Sequence, residues 1–450
     1  MARVVVVSPP FSSHAVPLAD LAAALVAEGI EVHFACAPAF EEVAARAGAA
    51  FVPLRVTANA NTGVAEATEQ GAREAARLAE FLAATRGGAV RTLLTQARHR
   101  QADLLADPSG VHAAVRGVHA RLRPDWYVVD QLSYPVTLAL HCLGLPYATF
   151  CPGHPTYVLS GSEAFFGVPY DWPDALRPGT ARLTALENLA RENDLLFNAL
   201  FSAFARERAP GAPEPGRAFA LTSPHAVVYG YPALPWLPGR PDGPVHLFAG
   251  HMAGTAGEPD ADWAGRLARL RARARRVVLV ALGTFLSARD DVLRTVATGL
   301  LDGTDDTAVV VAAGNRRDAL ADLEGERAVV VPEVPQRQLL PQVDAMVHHG
   351  GSNSFTECVA AGVPALVLPM SSDQFSVARD AERAGLGIVL DPNALRPDRL
   401  PAALDALPAH TSSALARWTP EVRGRGPRWA ALRLLDAMAE RPAYGERAAG

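Results

Sequence analysis

Apolar residues fall into short unbroken runs separated by longer stretches with helical spacing. Val4–Val7 is such a run, four valines in succession, as expected of a strand covered on both faces. Ser8–Val16 reads as a loop. Pro17 is suited to open a helix reaching Glu28, with Gly29 placed to cap its C-terminus. A second strand, Ile30–Cys36, completes a βαβ opening, whose strand-to-helix loop lies at the carboxyl edge of a parallel sheet, where ligands bind.

Residues 60–120 look helical and lack strong strand signals; they contain scattered charges and Gly87-Gly88. Trp126–Asp130 reads as a strand, Tyr134–Leu143 as a helix and Tyr147–Cys151 as a strand. Residues 152–180, rich in Pro, Gly and aromatics, read as loops over a site, and 181–208 as helix. Tyr229–Pro244 is the best linker candidate. After it the rhythm restarts, with strands at 277–282, 308–312, 328–331, 344–348, 365–368 and 387–390 and an amphipathic helical stretch at 411–440. The pattern predicts an α/β protein of two Rossmann-like, doubly wound domains facing a cleft. The first covers 1–228, the linker 229–244 and the second 245–410. A helical segment at 411–450 has a return to the first domain as one option.

Composition narrows the classes. The chain has 450 residues, 49% hydrophobic, with net charge -5 and pI ≈ 6.2, which excludes global disorder and a generally basic nucleic-acid-binding surface. Every basic residue is Arg, so neither Schiff-base chemistry nor a P-loop lysine is available. Cys36, Cys142, Cys151 and Cys358 have irregular spacing, which fits a reduced, cytoplasmic chain without a zinc knuckle. No signal-peptide core and no apolar stretch of about 18 residues is found, so no membrane span is expected. No G-x-S-x-G elbow supports a serine hydrolase. The first βα turn lacks the G-x-G-x-x-G of an oxidoreductase.

The densest chemistry lies in His348-His349-Gly350-Gly351-Ser352-Asn353-Ser354-Phe355-Thr356-Glu357. A strand ends at His349, two glycines allow a tight turn, and Ser352, Asn353 and Ser354 open a helix. Free N–H groups at that end, hydroxyls, an amide and an imidazole make a phosphate cradle without lysine. An ordinary capped helix after a glycine turn is the plain alternative. Glu357, one turn on, is placed to accept from ribose hydroxyls. Asp373-Gln374 opens another helix after the strand Ala365–Leu368 and brings a carboxylate and an amide suited to sugar hydroxyls. His348 beside His349 does not make a metal site, because adjacent strand residues point to opposite faces. Arg271, Arg273, Arg275 and Arg276 read as a solvated helix end. His14, an imidazole at a carboxyl-edge loop, is a candidate general base, with helix capping or solvation as its alternative. Asp130, ending a strand at the same edge, is a candidate orienting acid or a loop cap.

In order and spacing, residues 334–390 resemble the nucleotide-sugar signature of the inverting GT-B glycosyltransferases of family 1. That family includes plant secondary-metabolite and bacterial natural-product enzymes. The likeness extends less specifically over most of the chain. It implies a GT-B fold and transfer of a sugar from a nucleotide donor, uridine or thymidine diphosphate, to a hydroxyl of a small molecule, with inversion and without a metal or other cofactor. On this resemblance His349, Gly351, Ser352, Asn353 and Ser354 contact the diphosphate, together with Gly283-Thr284. Glu357 holds the ribose, Asp373 and Gln374 read the sugar, and Val334, before Gln336, meets the base. Ser13-His14-x-x-Pro17 resembles the family's Gly-His-x-x-Pro element, which makes His14 the base and Asp130 its partner. Glu333 stands where many members carry an aromatic that stacks on the base. His154 and Phe150 are candidate acceptor contacts. The expected partners are donor and acceptor, with no nucleic acid and a homodimer as an option. A sugar-nucleotide 2-epimerase, or a non-catalytic nucleotide-sugar binder or activator, would share this architecture.

Overall fold

The computed structural model describes residues 2–57, 61–63, 65–68, 71–103 and 105–440; parts of the expected 60–120 helical stretch and residues 441–450 of the C-terminal segment lie outside the described residues. Among the described residues, two parallel sheets form the framework. The first has β1 (Arg3–Val7), β2 (Glu31–Cys36), β3 (Ala50–Pro53), β4 (Trp126–Asp130), β5 (Tyr147–Cys151), β6 (Ala226–Tyr229) and β7 (Val245–Phe248), in the order β3-β2-β1-β4-β5-β6-β7. The second has β8 (Arg276–Ala281), β9 (Thr307–Ala312), β10 (Ala328–Val331), β11 (Ala345–His348), β12 (Ala365–Val367) and β13 (Gly387–Val389), in the order β10-β9-β8-β11-β12-β13.

The valine runs are explained by two-sided burial. Val4 and Val6 pack with the helices Ser12–Ala27 and Pro427–Ala439, while Val5 and Val7 pack on the opposite face with Val115, Val136 and Leu140. Val278 and Val280 likewise face one core of the second sheet, and Val277 and Leu279 the other. Each sheet reverses strand order at one point, between β1 and β4 and between β8 and β11, and ligands of such sheets bind at the carboxyl ends there.

Two expectations change. The segment Ser8–Val16 is not all loop: the helix starts at Ser12 and holds Pro17 inside it. Pro17 has no N–H for the Ser13 carbonyl four residues back, so that oxygen is left for another donor. The strand Val245–Phe248 pairs with β6, so 229–244 is an excursion within the first sheet rather than a junction between domains. Among its described residues the stretch 60–120 is helical, with Ala72–Thr85, Ala89–Asp103 and Pro108–Leu122 and a short 3-10 turn at Ala65–Ala67. Helix Pro427–Ala439 packs through Ala430, Ala431 and Leu434 against the first domain's core. The four cysteines are free, and no helix among the described residues is long and apolar enough to cross a membrane.

Candidate active site

The loop after β1 and the end of β4 meet at the first sheet's reversal point, and this brings His14 to Asp130. His14 Nδ1 lies 2.9 Å from Asp130 Oδ2, and the Asp130 side chain is fully buried. Asp130 Oδ1 accepts from the Leu132 N–H at 2.9 Å, which fixes the carboxylate plane. With Nδ1–H donating to the carboxylate, Nε2 keeps its lone pair, and no described residue bonds to it. Burial alone would pull the His14 pKa down. The charge of Asp130, its hydrogen bond and the charge of Asp373 outweigh that and raise it.

The loops after β8 and β11 meet in the same way at the second reversal point. His349 lies between two glycines. A Cβ at Gly283 would stand 2.6 Å from His349 Cε1, and one at Gly351 would stand 2.5 Å from Nε2, so any larger residue would displace the ring. Gly283 also holds φ +73, a conformation natural to glycine. Burial drives the His349 pKa down to about 4, so the ring is neutral near pH 7. Its Nδ1 is buried with no hydrogen-bond partner among the described residues. A proton on Nε2 leaves a lone pair there, a less costly orphan than a buried N–H. The following helix, Ser352–Ala361, has no side-chain cap, and its first bond runs from Phe355 N to Gly351 O. The Ser352, Asn353 and Ser354 N–H groups therefore face out of its positive end. Thr284 Oγ1 is held by Asn61 Nδ2 of the first domain at 3.1 Å. His348 is fully buried, with Nδ1 accepting from Gly350 N at 3.0 Å and a pKa depressed by burial to about 3. Among the described residues no group of three or more His, Cys, Asp or Glu is placed to hold a metal ion.

Glu357 is already partnered. Gln336 Nε2 donates to its Oε2 at 2.7 Å and Arg337 Nε to its Oε1 at 2.9 Å. Arg337 also reaches Asp20 of the first domain at 2.8 Å, so one guanidinium joins both domains through Glu357. Sequence reasoning missed Arg337; its position directly after the Pro335-Gln336 pair was the available signal. The Val334 carbonyl accepts from Gln336 N at 2.8 Å, closing the turn before that pair. Exposed Glu333 faces Gly63 of the first domain: a Cβ at Gly63 would stand 3.5 Å from Glu333 Oε1.

Asp373 sits at the cleft. Its Oδ2 accepts from His154 N at 2.8 Å and Ser352 Oγ at 3.1 Å, and its charge acts on His14. Gln374 differs from expectation. It is buried, its Oε1 accepts from Met370 N and Ser371 N at 2.9 and 3.0 Å, and its Nε2 donates to Ser371 Oγ, so its amide shapes its own loop. His154 is also corrected. It is fully buried, with Nε2 2.8 Å from Asp380 Oδ2 and Nδ1 2.7 Å from Thr156 Oγ1, so neither nitrogen is left for an acceptor. Asp380 gathers Tyr170 and Tyr231 hydroxyls and the Trp236 indole as well, a buried knot between the domains that sequence spacing gave no means to find. Phe150 lies wholly within the first core, because β5 is a central strand covered on both faces.

Comparison with known proteins adds family context. Residues 270–417 match the family described as erythromycin biosynthesis protein CIII-like, C-terminal domain. Over 194 residues the chain is 33% identical to the L-demethylnoviosyl transferase of Streptomyces niveus, covering 42% of this chain and 45% of that protein. The chain spans less than half the length of these curated relatives. The crystal structure of the glycotransferase of kitacinnamycin superposes with a TM-score of 0.68 at 23% identity, covering 97% of this chain and 99% of that one. Spinosyn rhamnosyltransferase SpnG complexed with thymidine diphosphate gives 0.62 at 19% identity, covering 97% and 100%. These superpositions show that the fold is GT-B.

Proposed function

We infer that this chain, which belongs by fold and C-terminal domain with the family 1 GT-B glycosyltransferases, transfers a sugar from a nucleoside diphosphate donor to a hydroxyl of a small-molecule acceptor, with inversion. His14 is the general base. Its Nε2 takes the acceptor hydroxyl proton as that oxygen bonds to the anomeric carbon. The bond from that carbon to the diphosphate oxygen breaks, and its electron pair leaves with the diphosphate. Asp130 fixes the His14 tautomer and stabilises the imidazolium. The helix N–H groups of Ser352–Ser354 and neutral His349 meet the charge that develops on the leaving diphosphate. No step calls on a metal. Asp373, within electrostatic reach of His14, sits where the sugar hydroxyls would lie.

The observation that carries this reading is the meeting of the two reversal points at one cleft: Asn353, in the diphosphate cradle, donates to the carbonyl of Ser13, next to His14, at 2.9 Å. Thymidine and uridine donors are the first to test, and the thymidine diphosphate bound to SpnG supports the former. The test is incubation with thymidine and uridine diphosphate sugars, with and without a panel of hydroxylated aromatic and polyketide-like acceptors, following products by mass. Acceptor-dependent release of nucleoside diphosphate with a glycosylated product is expected. Conversion of the sugar without any acceptor would favour an epimerase instead, and the absence of both donor binding and conversion would refute the reading.

A further inference from the structure

The strand Ala365–Val367 leads into a loop at 368–373 before the helix Gln374–Ala384. Three successive backbone N–H groups of this loop donate to side-chain amide oxygens. Gln374 Oε1 accepts from Met370 and Ser371 at 2.9 and 3.0 Å. Gln96 Oε1, on the helix Ala89–Asp103 of the first domain, accepts from Ser372 N at 3.0 Å, and Gln96 Nε2 donates to Ser372 Oγ at 2.8 Å. One amide of the first domain thus holds both the backbone and the side chain of a residue of the second, 276 positions away in sequence.

Ser372 has need of that hold. Its φ is +54, in the left-handed region that a residue with a Cβ adopts only at a penalty. The other non-glycine residues with positive φ among the described ones, Asp107 and Arg123, cap the two ends of one helix, Pro108–Leu122. Ser372 instead precedes Asp373, and the turn it makes sets the course of the backbone into that residue. Asp373 is half-buried; its Oδ2 accepts from His154 N and Ser352 Oγ, while its Oδ1 bonds to no described residue and is left for a ligand. The helix that carries Gln96 is itself anchored on the same segment. Val90 and Leu93 pack in one cluster with Phe375, two residues after Asp373, and with Trp172 and Leu186. Positions three apart share a helix face, so Gln96 follows Val90 and Leu93 along the face turned to the second domain.

We propose that Gln96 is a positioning residue for sugar recognition: it keeps Ser372 in its left-handed conformation and so presents Asp373 to the hydroxyls of the donor sugar. The sugar-reading carboxylate of the second domain is then set by a helix of the first, and the sugar site is complete only when the two domains are together. In this role Gln96 acts through Ser372 and not on the donor itself. The proposal rests on the glycosyl-transfer reading in taking Asp373 as the sugar contact.

The test uses the full chain and calorimetric affinities for thymidine and uridine diphosphate and for their sugar nucleotides. Gln96→Met keeps the bulk and the helix propensity and removes both hydrogen bonds. Its affinity for the sugar nucleotide should fall roughly three- to thirtyfold relative to that for the bare diphosphate, which stays nearly unchanged. Asp373→Ala should lose the sugar's share of the affinity to at least the same extent. Glycine adopts positive φ without strain. Ser372→Gly added to Gln96→Met should therefore restore part of the lost affinity, a rescue that a plain packing role for Gln96 would not give. A sugar preference intact in Gln96→Met but lost in Asp373→Ala would overturn the proposal and leave the transfer reading standing. So would an equal fall for sugar nucleotide and bare diphosphate, or no recovery on adding Ser372→Gly. Failure of the wild-type protein to bind either form of nucleotide would refute the transfer reading, and the proposal with it, so the two failures are distinguishable.

Discussion

Asn353 donates its side-chain amide to the carbonyl oxygen of Ser13 at 2.9 Å, across the cleft between the two domains. That oxygen is available because Pro17, four residues on, has no N–H to return. A residue of the diphosphate cradle therefore holds the backbone that carries the candidate base. Asn353→Ala removes one net hydrogen bond, worth about 0.5–1.5 kcal/mol. Donor affinity measured by calorimetry should fall severalfold to about tenfold, and turnover at saturating donor should fall as well because His14 is held less firmly. Unchanged affinity and turnover would mean that the contact does not matter for closure.

His14 supplies a pH signature. Its pKa is raised in the folded protein, so the neutral, proton-accepting form is lost as pH falls through a value above the ordinary 6.5 or so. The acid limb of the rate profile should lie there. Asp130→Asn removes the opposing charge and leaves burial, which acts the other way, so the limb should move to lower pH and the plateau should drop. His14→Ala should cut turnover by roughly 10²–10⁴-fold with little change in donor binding. A variant that kept its turnover would remove His14 from the chemistry. The linked stability term has the opposite pH sense. A raised folded pKa stabilises below the unfolded value and ceases to do so above the folded one, so Asp130→Asn should lower the melting temperature more at pH 5.5 than at pH 9.

The glycine pair around His349 gives a steric prediction. Gly351 has φ −65 and ψ 141, open to any residue, so Gly351→Ala is penalised only by the Cβ that would stand 2.5 Å from His349 Nε2. The single variant should bind nucleoside diphosphate at least about tenfold more weakly, by roughly 1.4 kcal/mol or more. Adding Gly351→Ala to His349→Ala should cost much less than it does alone, a coupling readable in a double-mutant cycle. Strict additivity would show that the ring is not confined as described.

Asp380 predicts a stability effect apart from chemistry. It is fully buried and accepts from His154, Tyr170, Tyr231 and Trp236. Asp380→Ala leaves these buried donors unmet and should destabilise the protein by about 3–5 kcal/mol, visible in thermal melting. A shift within the error of the melt would contradict the network.

Much of this site could be read from the chain because its residues follow apolar runs. His14 after β1, Asp130 at the end of β4, Gly283 after β8 and His349 after β11 are all fixed by strands whose valines are covered on two faces. What could not be read depends on pairing across domains. Arg337 acquires its meaning from Asp20, 317 residues away in sequence, and Asp380 from His154, 226 residues away. His154 reads as an acceptor contact because its loop is aromatic, yet its ring is spent on Asp380. Gln374 reads as a sugar contact because of its neighbour, yet its amide closes its own turn. The strand Val245–Phe248 was hidden by the prolines before it, which mark an excursion and a linker alike.

The central claim is that a diphosphate rests on the N–H groups of Ser352–Ser354 beside His349, facing His14. The direct measurement is a crystal structure with bound thymidine or uridine diphosphate. The account predicts phosphate oxygens within hydrogen-bond distance of those N–H groups and of His349 Nε2, on the side of the cleft where His14 Nε2 is free. Phosphates bound instead in the cavity of about 650 Å³ lined by Arg91, Arg98, Arg177 and Arg182, with the helix end left empty, would contradict it.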